Sequence, residues 1–239
     1  MLNMLSIMRK ELRTYFASPV AYVVIAVFVF ICAYLFAIPV TAPAGSAEAS
    51  MSIVFGNVAV ILLLIAPALT MRLVAEEQRS GTIELLLTSP VQDWEVIVGK
   101  YLASLVLFLI AVAMTVVFPV VMLRYGNPDS GPIIGGYVGL VLFGAAFLAV
   151  GVMASALTQN QVIAALVAVV LLLALWLISA FANAFRPPIS DALNYLSVIN
   201  HYSDFGRGVI DSKDIIYYLS VIVVALFLAT RTLETRRWT

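Results

Sequence analysis

Long apolar runs that contain no acidic or basic residue dominate this sequence. They cover residues 14–47, 49–71, 101–123, 130–185 and 215–230. A helix needs about 20 apolar residues to cross the roughly 30 Å hydrocarbon core of a bilayer. The longest run holds two spans, because the polar residues 158–161 divide it. The pattern therefore predicts six membrane-spanning helices, at about residues 20–38, 52–71, 101–123, 135–157, 162–184 and 215–230.

The composition excludes an ordinary soluble enzyme and a disordered chain. Of the 239 residues, 63% are hydrophobic and only 11% are charged. Soluble domains carry about 45–50% apolar residues and about 25% charged ones. Lipid offers no hydrogen-bond partners to the backbone at the edge of an open sheet. The apolar runs also lack the alternation of apolar and polar residues that is typical of a membrane β-barrel. The predicted fold class is an all-α polytopic membrane protein.

The positive charges predict the orientation. Nine Lys and Arg residues fall before the first span, in the 72–100 loop and after the last span, whereas four fall on the other side. The richer side is expected to be cytoplasmic. Both termini are therefore predicted to be cytoplasmic.

Residues 1–17 are predicted to form an amphipathic helix in the membrane interface. Apolar residues recur there at helical spacing, and Arg9, Lys10 and Arg13 fall mainly on the opposite side. The positive charges follow an apolar opening, which is not the order of a secretory signal. The alternative is a basic flank that only sets the topology.

The loop of residues 72–100 has a readable internal structure. The second span is expected to continue to about Gln78, with Arg72 paired to Glu76 four residues later. The pair at 80–81, Ser-Gly, is expected to break this helix, and a short helix follows at 83–88. Ser89 is predicted to cap a new helix that begins near Pro90, with Gln92 completing a capping box, and continues into the third span.

The short helix at 83–88 carries three consecutive leucines at 85–87. These side chains cannot all face water at low cost. Two interpretations remain open from the local pattern. The helix lies on the membrane surface, or it enters a groove on a partner protein.

Residues 76–90 read Glu-Glu-Gln-Arg-Ser-Gly-Thr-Ile-Glu-Leu-Leu-Leu-Thr-Ser-Pro. This segment resembles the cytoplasmic signature of ABC-2 permease subunits, which is acidic-acidic-x-basic-x-Gly-Thr-x-Glu-x-Leu-Leu-x-x-Pro. Other parts of the chain agree, namely residues 9–11, 18–19, 67–72, 200–211, 214 and 217–220. Together they resemble the permeases of the gliding-motility-associated branch, over almost the whole chain.

The resemblance implies a membrane (permease) subunit that exports a lipid-like, polysaccharide or other amphipathic substrate. It implies a coupling helix seated in a cleft of a separate ABC ATPase subunit, present in two copies, which binds ATP and Mg. A second permease chain, the same or a related one, and a possible auxiliary extracytoplasmic subunit complete the assembly in the bacterial cytoplasmic (inner) membrane. The implied coupling residues are Glu76, Glu77, Arg79, Ser80, Gly81, Thr82, Glu84, Leu85, Leu86, Thr88 and Pro90.

The chain itself is expected to be non-catalytic. It contains no G-x-x-x-x-G-K-[ST] phosphate-binding run. Its net charge of 0 gives no basic face for nucleic acid. With one histidine and one cysteine, it offers neither a Cys-based metal cluster nor a base for an intramembrane nucleophile. A membrane scaffold or mechanotransmission subunit that uses ATP without moving cargo remains an alternative.

Residues 186–214 form a long outer connection, and loops of this length usually have structure of their own. The resemblance implies short helices that dip into the outer leaflet before the sixth span, as a re-entrant segment. The polar side chains of Asn200, His201, Asp204, Arg207 and Asp211 are expected to satisfy its backbone or gate an exit. Phe205 and Gly208 are further candidates in this outer segment. A metal or acid–base role for His201 with Asp204 is the weaker alternative.

All 26 acidic and basic residues are predicted to lie outside the spans. Ion-coupled carriers place ionisable groups at mid-membrane, so this argues against one and favours an apolar pathway. In the fourth span, small residues stand four apart, at Gly135 and Gly139 and at Gly151 and Ser155. They predict close helix packing, either within one subunit or between two.

Overall fold

The computed structural model describes residues 2–41, 51–82, 91–126, 128–182 and 184–236. These residues form helices and turns, and no strand occurs among them. The helices are α1 (Leu2–Ala17), α2 (Pro19–Thr41), α3 (Ser52–Thr70), α4 (Ala75–Arg79), α5 (Asp93–Thr115), α6 (Val117–Tyr125), α7 (Ser130–Leu157), α8 (Gln161–Ala182), α9 (Ile189–Leu196), α10 (Val198–Gly206) and α11 (Ser212–Arg236).

Six stretches of the described chain are helical, long enough and apolar enough to cross a membrane, so the prediction of six spans is confirmed. They are Pro19–Ile38, Ile53–Arg79, Asp93–Tyr125, Ser130–Leu157, Gln161–Ala182 and Ser212–Thr235. The sixth is 24 residues long, longer than the apolar run at 215–230, because polar residues at both ends join the helix. The third joins α5 and α6, which are separated by the single residue Val116.

Helix α7 forms the core of the bundle. Of its most apolar stretch, 78% is buried inside the protein, whereas the corresponding figure for α8 is 17%. It packs against α3, α5, α8, α10 and α11. The helices around it expose their outer faces, as lipid-facing spans do.

Glycines let the neighbouring helices approach α7 closely. A Cβ at Gly136 would lie 2.2 Å from the Phe55 ring of α3, and one at Gly144 would lie 2.3 Å from the Phe108 ring of α5. A Cβ at Gly139 would lie 2.5 Å from Phe205 of α10. The small residues of the fourth span therefore pack within one chain, which is the first of the two interpretations of their spacing.

Helix α1 is present as predicted, but its buried face differs from the expected apolar stripe. Leu5 and Phe16 are 46% and 37% exposed, whereas Ile7 and the charged Glu11 are buried. The helix packs on α5, where Gly99 lacks a side chain and a Cβ would lie 3.0 Å from Ile7. Glu11 lies on the buried face because it pairs with the buried Lys100 of α5, at 2.9 Å.

The prediction that a helix begins near Pro90 is wrong for the described residues. Val91 and Gln92 are not helical, and α5 begins at Asp93. Gln92 is its N-cap and Glu95 supplies the third helical position of a capping box, since the Gln92 N–H donates to the Glu95 carboxylate at 3.4 Å. Asp93 and Glu95 also place negative charge in the first turn, where the helix dipole favours it.

Candidate functional site

The bundle has two polar ends. At the first, called the Lys100 end, α1, α4, the first turns of α5 and the turn at residues 158–160 meet. At the opposite end, called the His201 end, α9 and α10 meet the first turn of α11. The described members of the two groups of predicted site residues lie at these two ends.

A buried charge network joins three helices at the Lys100 end. The Lys100 side chain of α5 is only 1% exposed, and its ammonium lies 2.9 Å from Glu11 of α1 and 2.9 Å from Glu77 of α4. Lys10 donates to the other oxygen of Glu77 at 2.8 Å. The network is neutral, with two ammonium groups and two carboxylates. Removing one member leaves an uncompensated buried charge, which costs about 3–5 kcal/mol.

The network also perturbs Lys10, whose side chain is half exposed. Burial lowers the pKa of Lys10, but the hydrogen bond and the charge of the Glu77 carboxylate outweigh it. The pKa therefore lies above its ordinary value. Lys10 therefore stays charged at neutral pH, beside the Glu77 carboxylate.

The end of the second span is interrupted, and Ser155 of α7 supplies the missing hydrogen bonds. Helix α3 ends at Thr70 and α4 restarts at Ala75, so the continuous helix predicted to Gln78 is wrong at residues 71–74. The Ser155 hydroxyl accepts from the N–H of Ala75 at 3.1 Å and donates to the carbonyl of Met71 at 3.0 Å. It thus lies between two backbone groups that would bond directly in an unbroken helix.

Two more contacts tie α4 and the end of α3 to the bundle. The Gln78 side chain donates to the carbonyl of Ala156 at 3.1 Å, and the Tyr15 hydroxyl donates to the carbonyl of Leu69 at 2.6 Å. Both bonds are buried, where satisfied polar groups rigidify a structure. Helix α4 is therefore connected to α1, α5 and α7 at once.

Past α4 the chain becomes exposed. Ser80 donates to the carbonyl of Glu76 at 2.9 Å, and its hydroxyl lies 2.9 Å from that of Thr82. Gly81 has φ +71°, which favours glycine and ends the helix as predicted. Arg79 borders an open concavity of about 600 Å³ with the 157–160 turn. These groups face solvent, so they are accessible to another chain.

The structure shows where some of the predicted coupling residues lie and does not test their role. The predicted pairing of Arg72 with Glu76 is confirmed, at 3.5 Å. Glu77 lies in the intrachain network. The short helix at 83–88 lies outside the described residues, and so do Glu84, Leu85, Leu86, Thr88, Ser89 and Pro90.

At the His201 end, the partner of His201 is Asp214 and not Asp204. Nδ1 of His201 lies 2.6 Å from an oxygen of Asp214, and the Asp214 residue is completely buried. Nε2 lies 2.9 Å from the carbonyl of Tyr195, and since a carbonyl only accepts, Nε2 donates. The other oxygen of Asp214 has no hydrogen-bond partner among the described residues. The pair connects α9, α10 and α11.

Tyrosines of α10 and α11 surround this pair. The Tyr217 ring stacks on His201 with ring centroids 4.0 Å apart, and its hydroxyl donates to the carbonyl of Leu196 at 2.7 Å. Tyr218 donates to Val198 at 2.8 Å, and Tyr202 donates to Phe55 of α3 at 3.0 Å. These bonds fix α9 and α10 to the spans, and they satisfy carbonyls at the ends of short helices.

The other predicted residues of this end lie on its surface or in its packing. Asn200 donates to the carbonyl of Asn194 at 3.0 Å. Asp204 lies 3.9 Å from Arg207 and 3.8 Å from Lys213, and all three side chains contact solvent.

Three further predicted residues lie at this end, namely Asp211, Phe205 and Gly208. The backbone N–H and the ammonium of Lys213 lower the pKa of the Asp211 carboxyl. Phe205 is buried against α7, and Gly208 has φ +81° where the chain approaches Gly131. No group of three or more His, Cys, Asp or Glu among the described residues is placed to hold a metal ion.

Sequence reasoning missed the residues that hold each end together. Lys100 and Asp214 lie at the edges of predicted loops, yet both are buried in helices. Ser155 shows only as a small residue in an apolar span. The burial of Lys100 had a signal in the sequence. It is a single charged residue that directly follows the apolar first turns of a helix with a capping pattern.

Comparison with known proteins places these features in a family. The sequence model of the ABC-2 family transporter proteins matches residues 5–238. The "Probable multidrug ABC transporter permease YbhR" of Escherichia coli (strain K12) is 25% identical over 138 residues, which are 57% of this chain and 37% of that protein. Its counterpart in Escherichia coli O157:H7 matches equally. The chain therefore matches little more than a third of the length of these curated relatives.

Proposed function

We propose that this chain, which belongs to the ABC-2 transporter family, is a permease subunit driven by a separate ABC ATPase subunit that docks at the Lys100 end. The observation that carries the proposal is the family match over residues 5–238, combined with the buried attachment of α4 to three other helices. The docking segment is residues 76–90, with the leucines at 85–87 in an apolar groove of the ATPase. ATP and Mg bind to that subunit.

The attachment of α4 suits the transmission of motion. Lys100 connects α4 to α5, which continues as the third span, and Ser155 and Gln78 connect it to the central helix α7. A displacement of the docking segment therefore acts on two spans at once. Packed helices move as rigid bodies, so the closure of two ATPase subunits would rock the bundle.

The orientation belongs to the same proposal. The Lys100 end includes α1 with its basic residues, together with Arg72, Arg79 and Lys100, and these belong to the side richer in Lys and Arg. By the positive-inside rule this end is cytoplasmic and the His201 end is extracytoplasmic. The membrane is then the bacterial cytoplasmic (inner) membrane.

The complete transporter is proposed to contain two ATPase subunits and a second permease chain, the same or a related one. An auxiliary extracytoplasmic subunit, and membership of the gliding-motility-associated branch, are further parts of the proposal that rest on resemblance alone. The substrate is proposed to be exported and to be lipid-like, a polysaccharide or otherwise amphipathic. The apolar composition of the six spans supports that class.

Replacing both Glu84 and Leu85 with alanine is expected to abolish ATP-driven transport and to lower the amount of ATPase that co-purifies at least tenfold. The reason is the loss of one carboxylate and one apolar anchor from the segment that docks, and such anchors carry most of the affinity of an interface. The measurements are co-purification with the ATPase and transport by the reconstituted complex. A matched control replaces Glu234 and Leu228, which are 38% exposed at the side chain and 45% exposed overall, with alanine.

Intact association and transport in the Glu84 and Leu85 variant would contradict the docking assignment. ATP hydrolysis stimulated by the permease without any transport, tested with candidate substrates of all three classes, would favour the mechanotransmission alternative.

A further inference from the structure

A polar cleft opens beside the charge network at the Lys100 end. It has a volume of about 190 Å³ and lies where α1 approaches α4 and the turn after α3. The residues that matter are Lys10, Ser18, Arg72, Glu76 and Glu77. Of the contacts among these residues, only the pairing of Arg72 with Glu76 lies apart from the Lys100 network.

The inner charges of the cleft are already paired. Lys100 lies between Glu11 and Glu77, and Lys10 donates to Glu77. Two cations and two anions neutralise one another there. A ligand in the cleft therefore meets no excess charge from this inner group.

The outer charges are different. The closest approach of Arg72 to Glu76 is from Nε, at 3.5 Å, and the two side chains are 33% and 51% exposed. Among the described residues, Arg72 forms no ion pair with any other residue, so its terminal NH₂ groups can donate to a ligand. The Ser18 oxygen accepts from the N–H of Val20 at 3.3 Å, which leaves its own proton to donate. The cleft thus offers a forked donor and a hydroxyl beside a carboxylate.

The position of the cleft points to the membrane surface. Ser18 joins the interfacial helix α1 to the first span, and Arg72 follows the apolar end of α3. On either side of Ser18, Phe16 and Tyr22 are both exposed and meet edge to face, with ring centroids 6.0 Å apart. Exposed aromatic rings of this kind are enriched at the level of lipid head groups.

We propose that this cleft binds a zwitterionic phospholipid head group that carries a phosphate and a primary ammonium. Arg72 and Ser18 donate to the phosphate, because a guanidinium fork matches phosphate oxygens. In an ethanolamine phosphate, two carbon atoms separate the ammonium group from the phosphate ester oxygen. Glu76 accepts a hydrogen bond from this ammonium group. An anionic head group without an ammonium leaves Glu76 facing a negative charge, so it binds less well.

The test uses the full-length chain, stripped of lipid and reconstituted in nanodiscs that contain equal fractions of phosphatidylethanolamine, phosphatidylglycerol and phosphatidylcholine with the same acyl chains. Native mass spectrometry then measures the retained lipid. Wild type is expected to retain phosphatidylethanolamine, and Arg72→Gln to retain it at least tenfold less, since a charge-assisted hydrogen bond contributes more than the equivalent of a factor of ten. Glu76→Gln is expected to remove the preference over phosphatidylglycerol.

Arg124→Gln is the control, because Arg124 is an exposed arginine of α6 outside the cleft. An unchanged melting temperature shows that Arg72→Gln still folds. The proposal would be overturned if Arg72→Gln retained as much phosphatidylethanolamine as wild type. It would also be overturned if wild type retained as much phosphatidylglycerol as phosphatidylethanolamine. Complete displacement of the lipid by inorganic phosphate, but not by phosphoethanolamine, would reassign the cleft to free phosphate.

Discussion

Replacing Lys100 with methionine is expected to destabilise the folded chain by about 3–5 kcal/mol, because it leaves the carboxylates of Glu11 and Glu77 facing each other without their shared cation. Methionine keeps much of the apolar stem, so the loss isolates the charge. Lys100 is 1% exposed, and solvent does not replace it. ATP-driven transport is expected to fall for two reasons. Less of the chain is folded, and α4 loses the Lys100 contact that connects it to α5.

Melting of the purified full-length chain measures this effect. Lys213→Met is the matched control, since that ammonium is 56% exposed and pairs only on the surface. Surface pairs contribute about 0–1 kcal/mol, so little change is expected. Adding Glu11→Gln and Glu77→Gln to Lys100→Met is expected to recover more than half of the loss, because no buried charge remains unpaired. Equal melting of Lys100→Met and wild type would contradict the network.

Replacing His201 with alanine is expected to cost a similar 3–5 kcal/mol, because Asp214 then stays buried without a partner. The stacked Tyr217 ring also loses its neighbour, and the Tyr195 carbonyl loses its donor. The consequence is local as well as global, since the pair connects α9 and α10 to α11. The short helices at the His201 end are therefore expected to open before the spans separate.

Hydrogen exchange of the reconstituted chain distinguishes this local opening from complete unfolding. Peptides from 189–206 are expected to exchange faster in His201→Ala, while those of α7 stay protected. Asp204→Asn serves as the control, because Asp204 pairs at 3.8–3.9 Å on the surface. The double variant His201→Ala with Asp214→Asn is expected to regain protection. Unchanged exchange in 189–206 would show that the pair does not hold the segment.

The six spans were predictable from sequence because membrane insertion acts on composition over about 20 residues. No knowledge of tertiary contacts is needed for that. The pairing of Arg72 with Glu76 also follows from local pattern, whereas the short helices within 186–214 were expected only from the family resemblance. The pairing joins residues four apart on one face of a helix, which local sequence is enough to indicate.

The start of α5 was predicted wrongly because two capping patterns overlap. Ser89 with Gln92 has the expected spacing, and so does Gln92 with Glu95. The second of these is the one observed. Local sequence favours Ser89, because serine is a preferred N-cap residue and glutamine is not. The observed box has a tertiary contact that local sequence does not show, since Asn3 of α1 donates to Glu95 at 3.4 Å.

The partners of Lys100, Ser155 and His201 could not be predicted in the same way. Lys100 meets Glu11 and Glu77, far away in sequence, and Ser155 meets the backbone of residues 71–75. His201 has Asp204 three residues away but pairs with Asp214. Only the packing of α10 against α11 decides that choice.

The most direct test of the coupling account is cross-linking from the docking segment. The chain contains one cysteine, Cys32, which is buried, so an introduced cysteine is the one that reacts. Leu85→Cys in the intact complex, treated with a thiol-reactive photo-cross-linker, is predicted to attach to the ATPase subunit in a nucleotide-dependent manner. Val209→Cys, which is 54% exposed at the His201 end, is predicted to give no such product. No attachment from position 85, or equal attachment from both positions, would contradict the account.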